Sequence, residues 1–172
     1  MKRILSTLII VSLFSSMSVF AAGLDSKKAA YQGGTTKDVD FPGMKKPPVG
    51  TLNVDDPQAL KFEYKLNKET KTYAIPYDQF IDIEYGQKAG RRVGAAIATA
   101  ILLSPIGLFL LFSKKRKHYV TIGYKGEGGK EEVAVFELGK DLIRTTLPIL
   151  EARSGKKVIN QDEEAKKSNK GD

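Results

Sequence analysis

The sequence predicts a mainly β domain with one C-terminal helix and an apolar insertion between two of its strands. Three observations predict it. Short segments between Thr51 and Leu138 alternate apolar with polar residues and are separated by turn residues. A single stretch of helical spacing follows, from Asp141 to Leu150. Between the two groups of strands lies Val93 to Phe112, uncharged and bordered by basic residues on both sides. At 172 residues the chain has about one domain's worth of length, and its hydrophobic fraction of 41% is a little below the usual level.

At the N-terminus, Lys2 and Arg3 precede the apolar run Ile4 to Phe20, which ends in small residues. These are the charged, apolar and small-residue regions of a secretory signal peptide. Cleavage after Ala21 puts Val19 and Ala21 at the two specificity positions, whereas cleavage after Ala22 would put the bulky Phe20 in one of them, so 1–21 is read as signal. The competing reading is an uncleaved anchor, because the run approaches the roughly 20 residues of a membrane span. Ser6, Ser12, Ser15, Ser16 and Ser18 count against it. The expected location is exported: the periplasm or the extracytoplasmic face of a bacterial membrane. Residues 22–49, with Gly33-Gly34 and Lys45-Lys46-Pro47-Pro48, read as a flexible linker. A folded domain is expected over 50–159, and a disordered tail over 160–172. The absence of cysteine excludes disulfides, thiolate nucleophiles and cysteine-based metal sites.

Within the domain, Thr51 to Val54 and Leu60 to Tyr64 flank the turn signal Asp55-Asp56-Pro57 and predict a hairpin with Leu60, Phe62 and Tyr64 on one face. Lys71 to Pro76 and Phe80 to Tyr85 are the next strands. In the second of these, Ile81, Ile83 and Tyr85 alternate with Asp82 and Glu84, which predicts one buried and one wet face. Tyr119 to Tyr124 and Glu132 to Leu138 surround a Gly-rich turn and form another hairpin, with Val133, Val135 and Leu138 expected in the core. The helix is expected to start near Asp141 as N-cap, to present Ile143, Leu147 and Leu150, and to stop at Gly155, with a kink or boundary at Pro148.

Six or seven antiparallel strands closed by an amphipathic helix resemble a pleckstrin-homology (PH) or GRAM-like half-open barrel. The stretch Ile75-Pro76-Tyr77-Asp78-Gln79 leading into Ile81-Asp82-Ile83-Glu84-Tyr85 is similar to the mid-domain strand pair of bacterial PH-like domains. Ser113 to Ile122 and Phe136-Glu137-Leu138-Gly139-Lys140 resemble a group of uncharacterised exported bacterial proteins. The resemblance spans roughly Gly50 to Val158. It implies an architecture, with the helix over one open end of the barrel. The phosphoinositide or peptide binding of other PH and GRAM domains does not transfer on fold alone.

Charge locates the contact surface. The 28 basic residues exceed the 20 acidic ones by eight, and the excess is accounted for by Lys2, Arg3, Arg91, Arg92, Lys114, Lys115, Arg116 and Lys117. A nucleic-acid binder spreads its basic residues over a face of the fold, so no nucleic-acid partner is expected. A basic collar around an apolar run fits contact with anionic lipid headgroups. Val93 to Phe112 is long enough to cross a bilayer, but a crossing would separate the strands before it from those after it. Ser104-Pro105-Ile106-Gly107 breaks the run and favours an inserted helical hairpin. Ile101, Leu102, Leu103, Pro105, Ile106, Leu108, Phe109 and Leu110 would then contact lipid, with the basic collar at the headgroups. Gly94, Ala95, Ala96, Ala98 and Ala100 would let the arms, or several copies, pack closely. Two readings compete: a true transmembrane span in an assembly subunit that contacts another membrane protein, and a core element or oligomer contact.

No catalytic constellation is legible, and a non-enzymatic module without cofactor is expected. His118 is the single histidine. It lies beside four cations and could serve as a tuned base, but a strand-entry residue is the plainer reading. Asp82 with Glu84, and Glu131 with Glu132, read as solvated strand faces. Gly126 to Gly129 lacks the helix and Lys-Ser/Thr ending of a phosphate loop. The tyrosines are core or edge packing by default, with an aromatic membrane belt or stacking platform as the alternative.

Overall fold

The computed structural model describes residues 24–25, 27–36, 47–87, 117–161 and 163. The expected signal peptide, inserted apolar hairpin and far C-terminal tail lie outside the described residues. Strands β1 (Ala29–Gly34), β2 (Val49–Asn53), β3 (Ala59–Leu66), β4 (Glu69–Pro76), β5 (Phe80–Gly86), β6 (His118–Lys125), β7 (Glu131–Leu138) and β8 (Val158–Asn160) form one sheet, and helix α1 (Lys140–Ser154) follows β7. The strand order is β4-β3-β2-β1-β7-β6-β5-β8. All pairs are antiparallel except β5 with β8. The expectation of a mainly β domain with a C-terminal helix therefore holds, as one mixed sheet that is not closed.

Local chemistry explains the turns. Between β2 and β3 the Asp56 carboxylate accepts the backbone N–H groups of Gln58 (2.8 Å) and Ala59 (3.1 Å) and pairs with Lys61, which holds its pKa down to about 2. The β3–β4 hairpin turns through Asn67 and Lys68, both at positive φ, the conformation that matches the twist of tight two-residue hairpins. Gly128 and Gly129 take positive φ in the β6–β7 turn, so this glycine-rich segment is a turn.

Leu60, Phe62 and Tyr64 share the inner face of β3, as their alternation predicts. Tyr31, Phe62 and Phe136 pack with centroids 5.4–6.5 Å apart at the centre, within the favoured range for aromatic pairs. The sheet curls strongly, because the Tyr73 hydroxyl on β4 lies 2.7 Å from that of Tyr124 on β6 although four strands separate them in the sheet. Burial pushes Tyr73 well above the usual phenol range and Tyr124 up to about 12.

Several expectations are corrected. Within the expected linker 22–49, Ala29–Gly34 form β1, which sits inside the sheet between β2 and β7, so this part is a strand rather than a linker. A Cβ on Gly34 would come within 2.1 Å of the Val133 carbonyl oxygen, so its glycine serves close strand approach rather than flexibility. A bulge between Phe80 and Asp82 shifts the alternation of β5. Phe80 and Ile83, not Ile81, enter the core, and Glu84 is buried rather than wet. Val133 and Val135 are buried but face away from the inner core, which Ala134 and Phe136 enter in their place; Leu138 lies in the inner core as expected. The segment around Val158 continues into β8, so Asn160, expected at the head of a disordered tail, is in a strand.

Helix α1 begins at Lys140 after Gly139, with Asp141 in its first turn rather than capping it. It runs unbroken through Pro148 and ends at Gly155, whose φ of 68° and N–H bond to the Glu151 carbonyl make a left-handed cap. Leu150 is fully buried, and Leu142, Ile143 and Leu147 lie against the inner core. The far end of the helix is held by Arg153, which donates to the Asp55 and Asp56 carbonyls and lies over the Tyr77 ring, 5.6 Å from its centroid.

Candidate functional site

The basic-flanked segment leaves the sheet at the end of β5 and returns at the start of β6. These strands are paired neighbours, with Tyr85 opposite Val120 and Gly86 opposite Tyr119. Opposite residues in an antiparallel pair are about 5 Å apart, so both roots of the segment sit side by side at one end of the sheet.

At this root, Tyr85 and His118 stack at 11° with centroids 6.0 Å apart, and the Tyr85 hydroxyl is 2.7 Å from His118 Nδ1. The imidazole is thus engaged at the strand entry, where the plain reading placed it. Among the described residues no group of three or more histidine, cysteine, aspartate or glutamate side chains could hold a metal ion.

Of the residues expected to contact lipid, only Lys117 is described; Arg91, Arg92, Ile101, Leu102, Leu103, Pro105, Ile106, Leu108, Phe109, Leu110, Lys114, Lys115 and Arg116 lie outside the described residues. Lys117 does not simply extend to solvent. Its ammonium donates to Glu137 Oε2 at 2.8 Å, and the same oxygen accepts from the Gln32 amide at 2.7 Å. Glu137 and Gln32 are both buried. A carboxylate withdrawn from water needs such partners, so the lysine nearest the strand is committed to the fold.

Glu84, on β5, is likewise buried and accepts a hydrogen bond from the Gln161 amide. Asp82 and Glu132 serve the scaffold, Asp82 accepting the Gly123 N–H at 3.1 Å and Glu132 accepting from the Tyr124 hydroxyl at 2.7 Å, while Glu131 is exposed as its strand alternation predicts. Tyr64, Tyr73, Tyr77, Tyr119 and Tyr124 are buried, and Tyr85 is half-buried. They pack within the fold rather than forming an exposed stacking platform. Gln32 and Glu137 were missed as site residues. Glu137 carried a signal, since it shares strand parity with Val133 and Val135; Gln32 lay in the supposed linker and carried none.

Among the described residues no helix is long and apolar enough to cross a membrane. No protein-family model matches the chain, and no curated protein matches it.

Proposed function

We propose that this chain is a non-enzymatic extracytoplasmic module of PH/GRAM-like architecture that binds a membrane surface through its basic-flanked apolar insertion. The observation that carries the reading is the pairing of Gly86 with Tyr119. It puts the strand ends from which the insertion departs and to which it returns side by side at one end of one sheet, a geometry that favours a segment entering and leaving lipid from the same side. The same pairing weighs against a single span, which would have to return about 30 Å of bilayer to reach the neighbouring strand. Seven successive strands, each pair antiparallel, followed by a helix across the inner face, support the PH/GRAM-like assignment. Arg91, Arg92, Lys114, Lys115 and Arg116 supply the headgroup contacts, each worth about 1 kcal/mol near an anionic leaflet.

The test is co-sedimentation of the signal-free protein with pure lipid vesicles. Vesicles containing anionic lipid are expected to recruit it, and charge reversal at Lys114, Lys115 and Arg116 to release most of it. Recruitment by native membranes but not by pure lipid would refute the lipid reading and favour a protein partner.

A further inference from the structure

Among the described residues the eight-stranded sheet has two free edges, β4 and β8, and they are built differently. Strand β8 is three residues long, a short edge of the kind that discourages strand addition. Strand β4 runs for eight residues in unbroken register with β3. The β3–β4 turn fixes which backbone groups β4 leaves open. A two-residue turn makes its flanking residues, Leu66 and Glu69, a hydrogen-bonded pair. Alternation from there makes Tyr64 with Lys71, Phe62 with Tyr73 and Leu60 with Ile75 hydrogen-bonded, and the pairs between them not. The Tyr77 N–H on the Gln58 carbonyl, at 2.9 Å, continues the same alternation. The N–H and C=O groups of Thr70, Thr72 and Ala74 therefore point away from β3, to the side where no strand pairs among the described residues. All three residues are exposed. Pro76, next in the series, has no N–H and ends the open edge.

We infer that this edge pairs with the same edge of a second copy of the chain, antiparallel and about a twofold axis at Thr72. The register follows from the sequence of the edge. Centred on Thr72, the pairs are Thr72 with Thr72 and Thr70 with Ala74 in both directions. Each such pair exchanges two N–H···O bonds, about six in all. Centring on Lys71 sets two ammonium groups directly opposite each other, which is unfavourable. Centring on Tyr73 sets Thr70 against Pro76 and loses a donor, and centring on Thr70 leaves Ala74 without a partner strand. At the Thr72 centre only threonine and alanine meet on the outer side of the seam. Behind them, β3 of each copy presents Lys65, Glu63 and Lys61 in alternating sign, so neither charge accumulates. On the inner side Lys71 already has its counter-ion, Glu69 at 2.9 Å. The edge is thus self-complementary. A foreign peptide fits it less well, because strand addition gains its specificity from pockets for alternate side chains, and small exposed residues make none. The pairing is small, so the dimer is a weak one. It requires no lipid and is independent of the membrane reading.

The test uses the signal-free protein without lipid. Sedimentation equilibrium from about 10 μM to about 1 mM, the range of a small interface, is expected to show a monomer–dimer equilibrium. Thr72→Lys sets like charges opposite each other at the axis and is expected to weaken the dimer at least about tenfold. Its side chain lies on the exposed outer side, so far-ultraviolet circular dichroism should stay that of the parent. Register is read separately, since the chain has no cysteine. Thr72→Cys places two thiols on residues about 5.5 Å apart across the seam, within disulfide reach, and mild oxidation is expected to link the copies. Thr70→Cys leaves its two copies about 14 Å apart and is expected to link at least about tenfold more slowly. A monomer throughout the range, which leaves the edge to a foreign strand or to none, overturns the inference. So does a dimer that survives Thr72→Lys, or equal linking through Thr70→Cys and Thr72→Cys, since either result puts the contact on another surface.

Discussion

Replacing Lys117 by alanine separates a structural lysine from its headgroup-seeking neighbours. The ammonium is 2.8 Å from a carboxylate that is 6% exposed, while the lysine side chain itself is 34% exposed. Removing one partner of a fully buried pair costs about 3–5 kcal/mol. Here water reaches the lysine side, and the Gln32 amide still donates to Glu137 at 2.7 Å. The loss is therefore nearer the cost of one hydrogen bond to a charged group, about 2 kcal/mol. With a urea slope of about 1.5 kcal/mol per molar, the unfolding midpoint drops by just over about 1 M. Lys114→Ala should stay within about 0.5 kcal/mol of the parent but weaken binding to anionic vesicles about fivefold, the equivalent of about 1 kcal/mol. Adding Glu137→Gln to Lys117→Ala should recover part of the loss, since the remaining amide pair carries no buried charge. Urea unfolding followed by far-ultraviolet circular dichroism reads the first effect, and vesicle co-sedimentation the second. If Lys117→Ala is as stable as the parent and weakens vesicle binding like Lys114→Ala, Glu137 does not depend on Lys117 and the assignment of this lysine to the fold is wrong.

Two further outcomes follow from the interior. Tyr124→Phe strips a partner from both the Tyr73 hydroxyl and Glu132 and should cost about 1–3 kcal/mol in urea unfolding. Because burial raises the Tyr124 phenol to about 12 and Tyr73 further, their contribution to stability is complete below the ordinary phenol pKa of about 10 and is lost as pH rises from there through the folded values; absorbance at 295 nm should show part of the tyrosine ionising only as the protein unfolds. Gly34→Ala should be disruptive, at about 3 kcal/mol or more, because the new Cβ would sit 2.1 Å from the Val133 carbonyl oxygen. Gly128→Ala meets nothing within 4 Å and should cost only about 1–2 kcal/mol for its left-handed backbone.

Strands with clean alternation and strong turn chemistry were legible. β3 reveals its inner face through Leu60, Phe62 and Tyr64, and the β6–β7 hairpin is bracketed by its glycines. β1 was not legible, because Ala29-Ala30-Tyr31-Gln32-Gly33-Gly34 has almost no apolar contrast and two glycines that suggest a loop. The sheet selects that composition. Gly34 allows β7 to approach, and both faces of the strand are covered, so alternation has nothing to report. The same cause misassigned Val133 and Val135: on a strand buried on both faces, apolar parity does not tell inside from outside. β5 misled through its bulge, which moves the inward positions by one residue after Phe80, and β8 is too short to carry a pattern. In the candidate site the sequence exposed the charges but not their bookkeeping, since the Lys117–Glu137–Gln32 cluster joins three places that only strand pairing brings together.

The connection between β5 and β6 need not be long for the sheet to form. By loop-closure entropy, joining two paired strands through about thirty residues rather than the two of the β3–β4 turn costs roughly 2–3 kcal/mol, and the insertion must return at least that much elsewhere. On the membrane reading, burial of its large apolar side chains in lipid returns it, at about 1.5–3 kcal/mol each, and the basic residues beside the run add about 1 kcal/mol each at an anionic surface.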